Sequence, residues 1–159
     1  MKRSIVLSLL AWLMLSAGAA QANEKLLTAR VMQEFDPVLE RVQEVLVRHG
    51  FTVAHIQKCD GGLHDMGYET DNYRIVFFGR LNDVRELSKS HPELIPLFPF
   101  KLAVYAEGKD TILSVLNPAE LAPMLHADEA LQVRMIAWEK DFRAVLAEMQ
   151  GTGAVAQAH

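Results

Sequence analysis

The densest group of chemically capable side chains in the sequence is His55, Cys59, Asp60, His64 and Asp65. Cys59 and His64 stand five residues apart across Asp60-Gly61-Gly62, which is a turn signal. A thiolate with imidazoles suits zinc or copper, so His55, Cys59 and His64 are the candidate metal ligands. Their spacing fits no standard zinc motif, and a structural zinc site takes four ligands. The plainer alternative is a small half-buried thiol with the histidines on a loop and at the surface. Cys59 is the one cysteine of the chain, so any disulfide would join two chains. A redox role, or a Cys59 nucleophile with His55 or His64 as base, needs an orienting partner and an oxyanion donor, and the sequence identifies neither.

A second group is spread over the strands. Tyr68, Tyr73, Arg74, Arg80 and Lys101 bring polar and aromatic groups to the sheet. Arg74 and Lys101 lie within strand segments, where a charge must reach water or a partner. Tyr73, Arg74 and Lys101 could therefore line an anion-binding face. Trp138, in a stripe with Met135 and Phe142, could clamp an apolar molecule against that face. Each has an ordinary counterpart: the solvated side of a half-buried sheet, and the packing stripe of any core helix. The sequence lacks Gly-x-Gly-x-x-Gly, a P-loop, Gly-x-Ser-x-Gly, His-Glu-x-x-His, Cys-x-x-Cys and Cys-x-x-Cys-His. Common nucleotide enzymes, serine hydrolases, zinc proteases, thioredoxin-like oxidoreductases and c-type haem proteins lose ground accordingly.

The elements that must position these residues follow from periodicity. Leu26 to Gln33 reads as a first strand. Asp36-Pro37 reads as a helix start, with Val38, Leu39, Val42, Val45 and Leu46 on one side and Gly50 at the stop. Phe51 to Cys59 is the next strand. A regular pleat puts Phe51, Val53, His55, Gln57 and Cys59 on one face. A loop to Asn72 leads into Tyr73 to Gly79, whose bulk on both faces predicts a central strand. A short helix from Asn82 to about Ser90 precedes the prolines at 92, 96 and 99, which rule out a longer one. Phe100–Glu107 and Thr111–Leu116 flank Gly108-Lys109-Asp110 as a β-hairpin. A short helix is expected over Pro118 to Leu125. Asp128 caps a last helix to about Gln150, with Leu131, Met135, Trp138, Phe142, Val145 and Met149 as its apolar stripe. The order β-α-β-β-α-β-β-α with a hairpin predicts an α+β fold, two layers, with helices on one face of an antiparallel or mixed sheet.

The Asp36-Pro37 helix ending in His49-Gly50-Phe51-Thr52-Val53, the strand Tyr73-Arg74-Ile75, the proline-rich entry from Pro92 to Pro99, the strand Lys101-Leu102-Ala103-Val104-Tyr105 and the close in Asn117-Pro118 together resemble the domain of unknown function 302 family. The resemblance runs from Phe35 to Leu121. It implies a compact TBP-like two-layer domain that tends to pair as a homodimer, and it implies no chemistry, because the family's role is unassigned. Many members carry Cys-Asn-Pro after the third strand and Pro-Cys before the fourth. Here those places read Gly79-Arg80-Leu81 and Pro99-Phe100, so a role resting on those cysteines does not transfer. The helix with Trp138 and Glu139 lies beyond the shared run.

The start of the chain supplies an address. Lys2 and Arg3, the apolar run Ile5 to Leu15, and Ala20-Gln21-Ala22 have the layout of a secretory signal peptide. The apolar run is short for a membrane span. Residues 1–22 are thus expected to be removed, leaving a domain over 23–125, a packing helix over 126–150 and a tail over 151–159, in the periplasm or outside the cell. Taking the leader's two basic residues from the chain's 16 leaves 14 against 20 acidic ones, a net charge near −6. That balance argues against nucleic acid and against docking on anionic lipid. The mature chain has no second long apolar run, so no membrane span is expected after cleavage and a soluble domain is. No cofactor is required by these residues, and a metal ion is the one they could hold. The leading reading is a non-enzymatic binding or accessory domain for a small ligand or metal; the alternatives are a Cys59-dependent redox factor or enzyme, and a module that binds an envelope protein. Intact-mass measurement of protein taken from the periplasm is expected to give a chain starting at Asn23.

Overall fold

The structure, a computed structural model, describes residues 25–68 and 71–151. The leader with Ala20 and Ala22, and the tail from 152, lie outside the described residues. Five strands, β1 (Leu26–Val31), β2 (Thr52–Lys58), β3 (Tyr73–Gly79), β4 (Phe100–Glu107) and β5 (Asp110–Leu116), form one sheet in the order β1-β5-β4-β3-β2. Every neighbouring pair is antiparallel. The helices are α1 (Phe35–Arg48), α2 (Asp60–Asp65), α3 (Leu81–Ser90) and α4 (Glu129–Met149), with 3₁₀ turns at Pro92–Leu97 and Ala119–Leu121. Among the described residues no helix is long and apolar enough to cross a membrane.

Period-two alternation assigns most strand residues to one of two faces, although Ile112 is buried on the face away from the helices. Leu27, Ala29 and Val31 of β1, Leu113 and Val115 of β5, Phe100, Leu102 and Val104 of β4, and Val76 and Phe78 of β3 are all buried. They meet Val38, Val42, Val45 and Leu46 of α1, and the stripe Leu131, Met135, Trp138, Phe142, Val145 and Met149 of α4. The fold is therefore α+β, with helices on one face of a fully antiparallel sheet. The hairpin turn is shorter than Gly108-Lys109-Asp110: Glu107 pairs with Asp110, and Gly108 alone takes a positive φ of 64°. A two-residue turn with glycine first matches the strand twist. Asp128 caps α4 as expected, accepting a hydrogen bond from the Leu131 N–H at 2.8 Å.

Three further sequence expectations change. First, α1 starts at Phe35, not after Asp36; Glu34 holds the cap position and Pro37 falls in the first turn, where its missing N–H costs nothing. Second, the pairing of β2 with β3 slips between Val53 and His55. Ala54 is the extra residue of this bulge, so Val53 opposes Phe78 on the helix side while His55 and Gln57 oppose Phe77 and Ile75 on the other. The single face drawn through Phe51, Val53, His55, Gln57 and Cys59 does not exist. Third, the segment after Cys59 is not all loop, since Asp60–Asp65 closes helical turns in spite of two glycines. The ends of α1 and α4 are joined by charge. Glu148 accepts from Arg48 Nη2 at 2.6 Å and lies 2.7 Å from His49 Nε2, and Arg41 donates to the carbonyl of Met149.

Arg48, then His49, hold the Glu148 carboxyl below the usual value of 4.5. A carboxyl lowered in the folded state contributes stability that is present above its unfolded value and lost as pH falls through the folded one. Glu148→Gln is expected to lower unfolding free energy by about 1 kcal/mol at pH 7, given partial exposure. The difference should shrink below about pH 4. Urea titrations at the two pH values measure it.

Candidate functional site: the open face of the sheet

The face of the sheet turned away from the helices carries the side chains left over by the alternation. Cross-strand register arranges them in rows. Tyr73 of β3 opposes Tyr105 of β4, which opposes Ile112 of β5. The next row is Ile75, Ala103, Ser114 and Thr28. Beyond it Phe77 opposes Lys101, and Leu116 opposes Leu26. The middle row has small side chains, alanine and serine, between two rows of large ones. The result is a trough of about 610 Å³ with Ile75, Ala103 and Ser114 in its floor, Tyr73 and Tyr105 on one flank, and Lys101, Leu116 and Leu26 on the other. Asp71 and Asn72 stand at its end near Tyr73. A narrower apolar recess of about 230 Å³, lined by Leu97, Phe100, Pro118 and Leu121 among others, adjoins it and shares Lys101 and Leu116.

Tyr73 and Tyr105 meet edge to face with ring centroids 6.5 Å apart. Burial pushes the Tyr73 hydroxyl above its usual value of 10.0, and the Cys59 thiol nearby adds to this. The two rings stand together as one aromatic flank. Lys101 Nζ donates to the carbonyls of Pro99 at 3.2 Å and Pro96 at 3.4 Å, which fixes the ammonium at the rim. Arg30 closes the far end of the face by pairing with Glu107 and, at 2.9 Å, with Asp110.

The residues singled out from the sequence do not converge. Tyr73 and Lys101 share the trough. Arg74, one residue from Tyr73, points to the helix side, as a strand requires. Its Nη1 donates to Asp60 Oδ1 at 2.7 Å, and its guanidinium lies 5.5 Å from the Phe35 ring centre. That hydrogen bond, against the opposing effect of burial, lowers the Asp60 pKa below 3.8. The pair supports α2 and does not face a ligand. Arg80 pairs with Asp141 at 2.7 Å and lies 4.1 Å from the Phe51 ring centre. Trp138 is a core residue: its ring packs at 5.2 Å from Phe100 and 5.6 Å from Phe98, and its Nε1–H donates to Asp83 at 3.0 Å. It cannot clamp a molecule on the open face, because the whole sheet lies between them.

His55 and His64 are exposed, and His55 lies beside Phe77 at 5.9 Å. Cys59 is half-buried, and its thiol donates to the Gln57 carbonyl at 3.7 Å. Among the described residues no group of three or more His, Cys, Asp and Glu side chains stands together as metal ligands. His55, Cys59 and His64 are thus not gathered into such a set. Ala103 and Ser114, which make the depression, were missed. The available signal was a small residue in the middle of each strand of the hairpin, at positions that the two-residue turn brings opposite each other.

The residues from 27 to 149 match the model of the domain of unknown function DUF302. The match is wider than the run from Phe35 to Leu121, since it takes in β1 and the whole of α4. The fold is similar to the crystal structure of an uncharacterized conserved DUF302 protein from Bacillus stearothermophilus, with a TM-score of 0.72 and 22% identity over 80% of this chain and 99% of that one. No curated protein matches. At that identity the likeness carries fold and no chemistry. The chain belongs to the DUF302 family, a domain of unknown function.

Proposed function

We propose that this chain is an exported, non-enzymatic binding domain that holds a small, largely apolar molecule on the open face of its sheet. The observation that carries this reading is the trough over Ala103 and Ser114. Its volume of about 610 Å³ falls in the range of small-molecule sites, roughly 300–1,000 Å³, which are mostly apolar with a few polar groups. Tyr73 and Tyr105 offer flat apolar flanks, while Ser114, Asn72 and Lys101 offer polar contacts at defined points. Asp71 and Lys101, the charged residues of the lining, are not hydrogen-bonded to each other, so the trough presents shape and polarity without an acid–base pair. Export rests on Lys2 and Arg3, the apolar run from Ile5, and Ala20 with Ala22.

A second reading gives the same face to a second copy of the chain. It is favoured by Leu26 and Leu116, which pair at the margin of the trough and are 55% and 44% exposed. A homodimer would cover them, and in that reading the small ligand loses its site. The Cys59 and metal readings draw no comparable support from the described residues.

The test uses N-phenyl-1-naphthylamine, a neutral apolar dye whose fluorescence rises on leaving water. The purified chain is expected to bind it with micromolar affinity, on the order of −8 kcal/mol. Ala103→Trp, which fills the trough from its floor, should abolish binding while leaving the circular dichroism spectrum unchanged. Tyr73→Phe should preserve it. Binding unaffected by Ala103→Trp would sink the reading, and a dimer in sedimentation that Leu116→Lys dissociates would install the second one.

A further inference from the structure

The trough is electrically lopsided. Among the described residues that line it, Lys101 is the cation and Asp71 the anion. Lys101 lies on β4 opposite Phe77, and Asp71 lies just ahead of β3, beyond the Tyr73–Tyr105 pair. The apolar floor of Ile75 and Ala103 separates them. From Lys101 to Tyr105 the strand advances four residues, ~14 Å at the usual rise per residue.

The Lys101 ammonium has three protons to donate. The carbonyls of Pro96 and Pro99 take two of them at 3.4 and 3.2 Å, and both belong to the chain entering β4. They hold the charge in one place at the rim and leave a third N–H for a ligand. An anion placed there gains a charge-assisted hydrogen bond. The same anion at the other end of the trough would meet the Asp71 carboxylate.

Resting on the reading of the trough as a small-molecule site, we infer that its ligand is a single-chain carboxylic acid of medium length, with the carboxylate on Lys101 and the alkyl chain over Ala103 towards Tyr105. The polarity of the trough sets both the sign of the head group and its direction. A neutral alcohol head on the same tail can accept from Lys101 but brings it no opposite charge, and a cationic head is drawn instead to Asp71.

Displacement of N-phenyl-1-naphthylamine by decanoate, decanol and decyltrimethylammonium tests this on the full mature chain. Decanoate is expected to displace the dye about tenfold more effectively than decanol, the gain from giving the ammonium a charged rather than a neutral acceptor. Lys101→Met should bring decanoate and decanol to equal displacement of the dye, and Lys101→Arg should restore most of the difference. Lys101 is exposed, so neither variant is expected to disturb folding. Equal displacement by decanoate and decanol, or an advantage that survives Lys101→Met, would overturn the head-group inference while leaving the trough reading in place. Failure of the dye itself to bind overturns both.

Discussion

Everything in this fold depends on one sheet being covered once. Trp138 and Phe142 of α4 lock against Phe78 and Phe100 of the sheet, with ring centroids 5.0 to 5.3 Å apart across Phe100–Phe142, Phe100–Trp138 and Phe78–Phe142. Phe51 joins the cluster from the start of β2, at 5.2 Å from Phe78. Aromatic pairs in such edge-on geometry add to the apolar area they bury. With α1 beside it, α4 uses up the helices long enough to cover a sheet. Among the described residues the other face has no covering layer, and its partly exposed tyrosines, Ile75 and Leu116 are the consequence.

That division explains why charge is distributed as it is. On the helix side three arginines have specific carboxylates: Arg74 with Asp60, Arg80 with Asp141, and Arg134 with Asp83 and Glu86. These pairs seal the gaps between helix ends and strand ends, where burial without a partner would be costly. On the open side Arg30 is paired in the same way with Glu107 and Asp110, whereas the Lys101 ammonium rests on backbone carbonyls. A charge held by dipoles keeps its full sign towards a visitor, whereas a salt-bridged one does not.

Much of this architecture was legible in the residues. Tyr73–Gly79 is a strand over those seven residues, and the stripe from Leu131 to Met149 is buried to the last member. Both depend on local period and on little else. The bulge at Ala54 was not legible, because nothing in Val53-Ala54-His55 marks an extra residue; only the fixed register with β3 demands it. The helix at Asp60 was hidden for a similar reason: Gly61 and Gly62 argue against it, and a partner 14 positions away, Arg74, holds it. The grouping of Tyr73 with Arg74 was an avoidable error, since adjacent strand residues face opposite ways. The trough itself needs Ala103 beside Ser114, a fact of cross-strand register that no single strand contains.

The first strand carries one more implication. β1 is an edge strand, and it pairs with β5, the last strand to be made; Thr28 and Ser114 touch across 86 positions of chain. Such distant pairings are slow to form because the intervening chain must be ordered first. The N-terminal strand must therefore wait without its partner until the chain has emerged as far as Leu116. A chain built this way stays threadable until late, and the order of its strands acts as a delay on closure.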